Sequence, residues 1–176
     1  MASLPQLIMR HPDLSLLPPL ELGEGCNIHT HMDGAEHVWE SIIASAFGEH
    51  FDFSFLIKAG NYHPQSVLYL QCNGRDVATA TAVENPKYPG EGWFRMVGVL
   101  KEEAGKGYGK LIALAALHKL HQRGYNTAVL STDDHRISAI CTYLSVGFRP
   151  VYNHESHTAR WEQLKKQLPP KFASMI

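Results

Sequence analysis

A glycine-rich segment between an apolar run and a helical pattern holds residue types that bind phosphate. The segment consists of Gly105, Lys106, Gly107, Tyr108, Gly109 and Lys110. Glycine lets the backbone approach an anion closely, and a helix that begins here directs its unpaired N–H groups and its positive dipole end toward that anion. The two lysines add charge nearby. The alternative is a glycine-rich turn that only joins a strand to a helix.

Two common phosphate motifs do not fit this segment. A P-loop requires a glycine four residues ahead of the Gly-Lys pair and a serine or threonine after the lysine, but Ala104 and Leu111 occupy those positions. A dinucleotide fingerprint has the spacing GxGxxG, whereas these glycines have the spacing GxGxG. The sequence therefore excludes both motifs.

A second motif lies farther along the chain, and the pair resembles the two motifs of the GNAT acetyltransferase superfamily. In that family an apolar strand and a short loop lead to Arg or Gln-x-x-Gly-x-Gly or Ala, which here reads AGKGYG at 104–109. The family's second element, Asn-x-x-Ala-x-x-x-Tyr-x-x-x-Gly-Phe, matches 136–148 in every spacing. The resemblance is strong over 93–152 and loose in the amino-terminal half.

The resemblance implies an acetyl-CoA-dependent N-acetyltransferase in which an amine attacks the thioester directly, in a ternary complex and without a metal. It implies that seven residues of the loop bind the pyrophosphate: Ala104, Gly105, Lys106, Gly107, Tyr108, Gly109 and Lys110. It also implies that backbone groups of the preceding strand bind the pantetheine arm: Val97, Gly98 and Val99. Gly98 is the local indication, because glycine inside a strand usually marks a bulge or a close approach. Alternatively, it relieves packing against a large neighbour such as Trp93.

Two residues depart from the family's pattern. Ala104 replaces the Arg or Gln of the first motif, and Arg136 replaces the Asn of the second. Because most anion contacts of such a loop come from backbone N–H groups, losing one side chain should weaken acetyl-CoA binding without abolishing it. Arg136 either supplies a cation near the cofactor or lies on the solvent face of its helix.

One residue is predicted to be catalytic. Tyr143 stands where the family keeps the tyrosine that protonates the departing thiolate, and an unperturbed hydroxyl with a pKa of about 10 suits that task. Its position in the second motif is what favours this role over a core tyrosine whose hydroxyl is bonded to backbone. The base that takes the amine's proton is not identified; Glu84, Glu91 and His63 are weak candidates.

Other polar clusters favour structural interpretations. His29 and His31 share a strand face, and a solvated face is expected rather than a metal pair, because no third ligand has a suitable spacing. In the run 132–136, Asp133 or Asp134 is predicted to cap the next helix. His135 and Arg136 would then lie beside the cofactor cleft.

The composition indicates one domain with a small partner. The chain has 176 residues, 44% of them hydrophobic, and a formal net charge of −1. This length buries a sizeable core but is short for two domains, so a single domain is expected over 1–176. Without a basic run, neither nucleic-acid nor membrane-surface binding is expected, and a small-molecule amine is the predicted acceptor. Homodimers, common in the family, are an open alternative to a monomer.

Targeting signals and cysteine spacing favour the cytoplasm. The amino-terminal residues contain no long apolar run typical of a signal peptide or a membrane span. The three cysteines Cys26, Cys72 and Cys141 are widely spaced with no CxxC, which is typical of reduced thiols rather than of disulfides or zinc ligands.

The predicted elements alternate in type. The first 25 residues carry four prolines and are expected to run extended over the surface. Strands are predicted at 26–32, 66–72, 76–84, 93–100, 127–132 and 148–152, and helices at 35–47, 52–59, 107–123, 137–146 and 158–168. Asp33 is the candidate cap of the first helix, and Asn73-Gly74 predicts a hairpin. The fold class is α/β with a mixed, mostly antiparallel central sheet flanked by helices, as the resemblance to the GNAT fold implies. A GNAT-like module that binds CoA or a partner without turnover is the alternative function.

Overall fold

The computed structural model describes residues 4–59 and 61–176. Its strands are β1 (Leu7–His11), β2 (Cys26–Thr30), β3 (Val67–Cys72), β4 (Arg75–Glu84), β5 (Gly92–Val99), β6 (Ala128–Thr132) and β7 (Arg149–Val151). Its α-helices are α1 (Glu36–Phe47), α2 (Ser54–Lys58), α3 (Tyr108–Gln122), α4 (Ile137–Ser145), α5 (His157–Lys165) and α6 (Pro170–Ala173). None of the helices in these ranges is long and apolar enough to cross a bilayer.

The described strands form one sheet in the order β2-β3-β4-β5-β6-β1-β7. All neighbours are antiparallel except β5 and β6, which run parallel. The predicted mixed, mostly antiparallel sheet is confirmed. The parallel pair is joined only at Gly92–Ala128 and Trp93–Val129, so the two strands separate toward their carboxyl ends. This separation opens the middle of the sheet.

The amino-terminal segment contains an interior strand of the sheet, which the sequence prediction missed. Leu7–His11 pairs with β6 on one side and with β7 on the other, and the side chains of Leu7 and Met9 are fully buried. These two apolar residues alternate with their neighbours, as a strand requires. Pro5 and Pro12 flank the strand rather than interrupt it. The expectation of a surface segment over 1–25 is therefore wrong for these five residues.

The β3–β4 hairpin is confirmed, and it brings two cysteines together. Asn73 and Gly74 have φ values of 52° and 78°, as the predicted tight turn requires. Across the neighbouring β2–β3 pair, Cys26 and Cys72 are register partners with their Cα atoms 4.1 Å apart, and they form a disulfide. The expectation of three reduced thiols is wrong for this pair, and Cys141 alone is free. Sequence spacing could not indicate the bond, because only the register places the cysteines opposite each other.

The two faces of the sheet carry different helices. Helix α3 covers the face that holds Ala78, Ala80 and Ala82, while α1 covers the other face with Trp39, Ile42 and Ile43. The α1 helix begins without a side-chain cap, so the predicted cap at Asp33 is wrong.

Gly98 lies beneath α1. A Cβ atom on Gly98 would be 3.1 Å from the Cβ of Ala46 and 3.2 Å from Cδ1 of Ile43. A side chain at this position would push α1 back by a few tenths of an ångström. Glycine therefore does relieve packing here, but the neighbour is α1 rather than Trp93, and the predicted pantetheine contact stays a prediction.

Candidate active site

A cleft of about 1060 Å³ opens where β5 and β6 separate, and α3 and α4 form its walls. Ten of the eleven predicted cofactor residues line it: Val97, Gly98, Val99, Ala104, Gly105, Gly107, Tyr108, Gly109, Lys110 and Arg136. Tyr143 also lines it. Residues from two motifs that lie far apart in the sequence thus share one cavity.

Lys106 is the exception among the predicted cofactor residues. Its ammonium group donates a hydrogen bond to Glu103 at 2.6 Å, and this contact raises the pKa of the lysine. The side chain lies against a smaller neighbouring cavity that Arg75 and Cys72 also line. The positive charge of Lys106, which was predicted to lie beside the anion, is therefore held by Glu103 outside the cleft lining.

The backbone of the glycine-rich loop forms a cradle for an anion. The N–H groups of five successive residues, 105–109, donate no hydrogen bond to any described residue. Gly105 and Gly107 have φ values of 82° and 83°, which glycine adopts without strain. A Cβ on either residue would meet nothing within 4 Å, so the positive φ, and not a lack of space, is the reason for glycine at both positions. Gly107 is the N-cap of the 15-residue helix α3. Free N–H groups at a helix N-terminus suit a phosphate or diphosphate, so the residues present fit a CoA pyrophosphate.

A β-bulge interrupts β5 where the sheet opens. Ala78 pairs with Val99 and Thr79 with Gly98, but the register then shifts, so that Ala80 faces both Met96 and Val97. Met96 has a φ of 50°, which is uncommon for a non-glycine residue. From the sequence, Gly98 was the residue expected to mark a bulge, but Gly98 is paired with Thr79. A bulge leaves one residue without its ladder partner, and this one frees backbone groups at the mouth of the cleft.

Tyr143 is a buried tyrosine that borders the cleft. Its exposed fraction is 8%, and its ring lies edge-on to Phe94 with the centroids 5.7 Å apart. Its hydroxyl forms no hydrogen bond with the residues described, which removes the alternative of a hydroxyl bonded to backbone. Burial raises its pKa to about 12, against the opposing charge of Arg136. The unperturbed pKa of about 10 is therefore wrong for this residue.

Arg136 spans the cleft from the N-terminus of α4. Its guanidinium carbon lies 3.8 Å from the ring centroid of Phe47 on α1. Its Nε is 3.5 Å from a carboxylate oxygen of Asp133, yet this buried atom makes no hydrogen bond. Of the two alternatives from the sequence, the cleft-facing one is observed.

The acidic pair before α4 does not cap that helix. The cap position belongs to Arg136, and it receives no side-chain hydrogen bond. Asp134 instead accepts a hydrogen bond from Nε of Arg160 at 2.9 Å, and Asp133 accepts one from Gln6 at 3.1 Å. The capping prediction is wrong, because distant partners satisfy both carboxylates. His135 lines the cleft, as expected.

None of the weak candidates for the base lies in the cleft. Glu91 is paired with Arg10 at 2.8 Å, and Glu84 is exposed at the end of β4. His63 accepts a hydrogen bond from the backbone of Gln65 at 3.2 Å. Among the described residues that line the cleft, His135 is the one imidazole.

The two histidines near β2 form a packed polar network. His29 contacts Asp76 through Nε2 at 2.6 Å, and Nδ1 of His31 is 3.0 Å from the hydroxyl of Tyr69. His31 is 5% exposed and stacks on Phe53, so the expected solvated face is wrong for this residue. Within 4–59 and 61–176, no cluster of three or more His, Cys, Asp or Glu side chains could hold a metal ion.

Several cleft residues were not predicted from the sequence. They come from α1, from α4 and from the carboxyl-terminal helix: Ala46, Phe47, Ser138, Thr142, Lys171 and Phe172. The residues on α4 lie within the second motif itself, so helical periodicity could have indicated them. Those on α1 and α6 reach the cleft through long-range packing, for which the sequence carries no local signal.

Comparison with protein families places this site in a known context. Residues 35–148 match the family model described as the acetyltransferase (GNAT) family. The match spans both motifs and most of the sheet.

Two curated relatives are both named mycothiol acetyltransferase. A mycothiol acetyltransferase of Thermobispora bispora is 29% identical over 157 residues, which is 80% of this chain and 52% of the relative. A mycothiol acetyltransferase of Kytococcus sedentarius is 28% identical over 149 residues, which is 77% of this chain and 49% of the relative. The chain thus spans about half the length of these relatives.

Solved structures share the fold. A GCN5-related N-acetyltransferase from Sphaerobacter thermophilus superposes with a TM-score of 0.68 at 24% identity, over 84% of this chain and 49% of that one. The ribosomal-protein-S18-alanine N-acetyltransferase from Escherichia coli gives a TM-score of 0.61 at 20% identity, over 72% of this chain and 79% of that one. At these identities the likeness concerns the fold alone.

Proposed function

This chain belongs to the GNAT family of acetyltransferases, and on that premise we propose that it transfers the acetyl group of acetyl-CoA to the primary amine of a small molecule. The observation that carries the proposal is the run of five free N–H groups at 105–109, which faces a cleft large enough for a cofactor. Relatives named for mycothiol support a small acceptor.

The binding roles follow from the position of each group. The N–H groups of 105–109 bind the pyrophosphate, and Lys110 adds charge at the first turn of α3. Backbone groups of 97–99 bind the pantetheine arm along the separated strand. Arg136 supplies the cation that Ala104 lacks, because its guanidinium faces the same cleft.

In the proposed reaction, acetyl-CoA supplies the acetyl group as a thioester. Backbone N–H groups at the Met96–Val97 bulge donate to the carbonyl oxygen as it gains charge. As the amine nitrogen bonds to the carbonyl carbon and the carbon–sulfur bond breaks, the Tyr143 hydroxyl, which holds its proton at neutral pH, donates it to the departing sulfur. The proton that the nitrogen loses restores the hydroxyl. The nearby charge of Arg136 makes the donation from Tyr143 easier.

Direct attack by the amine needs no covalent enzyme intermediate. Cys141 is the one thiol in the cleft, and burial raises its pKa. It is not within hydrogen-bonding distance of a described histidine, so the thiolate that a ping-pong route requires is disfavoured. The ternary complex therefore remains our proposal. The cytoplasmic location and the single domain stay predictions.

A calorimetric titration with acetyl-CoA tests the site. Gly107→Glu places a carboxylate against the cradle, and Gly90→Glu is a matched control, because Gly90 has the same φ of 83° in an open loop outside the cleft. We expect the wild type and Gly90→Glu to bind and Gly107→Glu not to bind. CoA release with a panel of amines then tests turnover.

A non-catalytic module is the second candidate function. It is favoured by Ala104 in the loop and by the positions of the candidate bases Glu84 and Glu91, neither of which lines the cleft. Binding of acetyl-CoA without acetylation of any amine would support it. Failure of a folded wild type to bind acetyl-CoA would contradict the cofactor site itself.

A further inference from the structure

Arg95 has no acceptor oxygen among the described residues, unlike every other arginine of the chain. The others contact carboxylates or backbone carbonyls: Arg10 with Glu91, Arg75 with Glu102, Arg123 with Ala82, Arg136 with Asp133, Arg149 with Leu144 and Phe148, and Arg160 with Asp134. A guanidinium has five N–H donors, and none of those on Arg95 is sealed off from the surface. They are therefore open to an external anion.

Arg95 lies between two aromatic rings in a partly buried position. Its guanidinium carbon lies 4.2 Å from the ring centroid of Trp93 and 5.1 Å from that of Phe55. Burial lowers its pKa, and no carboxylate opposes that effect. Its cross-strand partner Thr81 has a buried hydroxyl that also makes no hydrogen bond. The unpaired hydroxyl of Thr81 and the accessible guanidinium of Arg95 therefore belong to cross-strand partners on the α1-covered face of the sheet.

Aromatic rings connect Arg95 with the cleft. Phe55 is 5.5 Å from Phe51, and Phe51 is 5.8 Å from Phe47, measured between ring centroids. Phe47 lines the cleft beneath Arg136, so the three rings form a wall, here called the aromatic wall. Phe55 is 42% exposed. The wall leaves apolar surface open to a ligand between two guanidinium groups.

Arg95 is also close to the point where acetyl transfer is proposed. It precedes Val97, which lines the cleft, by two residues of β5. Even with the bulge at Met96, two residues of chain span at most about 7 Å. An amine beside Val97 and an anionic group on Arg95 can thus belong to one small molecule.

We propose that the acceptor is an amine that carries a carboxylate, and that Arg95 binds this carboxylate while the aromatic wall contacts the rest of the molecule. This inference rests on the proposed acetyltransferase function and names its substrate class. A carboxylate matches the planar fork of a guanidinium with two parallel hydrogen bonds. Its single charge balances the one unpaired guanidinium, whereas a phosphate would carry excess negative charge there. Arg95 is therefore a specificity residue for the acceptor.

The test compares amines that differ only in the carboxylate. The probes are the standard L-amino acids and their carboxamides, at a pH that keeps each amine equally protonated. The variants are Arg95→Met, which keeps the stem without the charge, and Arg95→Lys, which keeps the charge without the fork. Arg123→Met is the matched control, because Arg123 also lies over an aromatic ring, that of Tyr125, outside the cleft. Circular dichroism and melting curves establish that each variant is folded.

Two readouts separate the substrate class from the catalytic function. The first is binding of amino acids by calorimetry in the presence of CoA, and the second is CoA release from acetyl-CoA. We expect kcat/KM for the best amino acid to exceed that for its amide and to fall about 10- to 100-fold in Arg95→Met, with Arg95→Lys intermediate. Kinetics with the amide and the Kd of acetyl-CoA should not change.

Each outcome decides one of the two proposals or both. Arg95-dependent binding of amino acids without CoA release would support the carboxylate site and overturn the acetyltransferase function. Acetylation of amides as readily as acids, unaffected by Arg95→Met, would overturn the carboxylate site and leave the function intact. Equal losses for acids and amides would assign Arg95 a structural role only and overturn the site. Neither binding nor turnover would overturn both proposals.

Discussion

The guanidinium of Arg136 and the ring of Phe47 meet across the candidate cofactor cleft, with 3.8 Å between the guanidinium carbon and the ring centroid. Phe47 is the last residue of α1, and Arg136 is the N-cap of α4. The contact therefore links the helix that covers β5 with the helix that follows β6. It closes one side of the gap that the separated strands leave open.

Removing Arg136 should weaken cofactor binding. Its buried Nε has no hydrogen bond, so a phosphate or carbonyl oxygen in the cleft can accept one. We expect Arg136→Ala to raise the Kd of acetyl-CoA about 10- to 100-fold in calorimetry. Phe47→Leu, which removes only the ring beneath the cation, should raise it by less than about tenfold. Arg123→Ala serves as the control outside the cleft, and an unchanged Kd in Arg136→Ala would contradict the role.

Removing the Tyr143 hydroxyl should slow turnover and leave cofactor binding intact. The hydroxyl is buried beside the cleft and retains its proton at neutral pH, because burial raises its pKa to about 12. We expect Tyr143→Phe to lower kcat about 100-fold or more, with the Kd of acetyl-CoA unchanged. Tyr152→Phe, at an exposed tyrosine, is the matched control. Equal kcat in Tyr143→Phe and the wild type would eliminate the proposed acid.

The same tyrosine should affect stability at alkaline pH. In the unfolded chain its hydroxyl ionises near pH 10, whereas in the folded protein it keeps its proton to about pH 12. Between these values the unfolded state binds fewer protons, so the free energy of unfolding falls as the pH rises. We expect the wild type to lose about 1 kcal/mol more than Tyr143→Phe between pH 9 and pH 11 in urea denaturation. Other tyrosines titrate in both proteins, so parallel profiles would mean that the Tyr143 pKa is unshifted.

Local patterns in the sequence were sufficient to predict most of the fold. The Asn73-Gly74 turn, the strand before the glycine-rich loop and the helix predicted over 107–123 all depend on neighbouring residues, and all are observed, the helix as Tyr108–Gln122. The two motifs also identified ten of the eleven predicted cofactor residues as neighbours of one cleft. The side chain of Lys106 does not line this cleft, because its ammonium group pairs with Glu103, three residues away.

Features that depend on register and long-range packing could not be predicted. Leu7–His11 is too short for its alternation to outweigh the prolines around it, and only its place between β6 and β7 makes it a strand. The bulge at Met96 arises from a shift against β4 and has no glycine to mark it. A role for Arg95 could not be predicted, because its lack of a partner is visible only once every neighbour is placed.

Reduction of the disulfide should destabilise the protein without removing cofactor binding. Cys26 and Cys72 are 46 residues apart in sequence and join β2 to β3, at the edge of the sheet. Closing a loop of this length stabilises the folded state by at most about 4 kcal/mol. We expect a reductant to lower the free energy of unfolding by up to this amount in urea denaturation. The Cys26→Ser/Cys72→Ser protein should show no response to reductant, and a response there would assign the effect to Cys141.

Two glycines that follow helices should differ in their tolerance of alanine. Gly124 and Gly147 have φ values of 91° and 106°, but a Cβ on Gly124 would meet open space, whereas one on Gly147 would lie 2.9 Å from Cδ2 of His11. We expect Gly124→Ala to cost about 1–2 kcal/mol for its backbone conformation, and Gly147→Ala to cost about 1–3 kcal/mol more because the buried His11 ring must move. Urea denaturation measures both. In a double-mutant cycle, His11→Ala should remove the additional cost at Gly147, since it removes the ring. If the cost at Gly147 stays the same without the ring, the contact with His11 is not its cause.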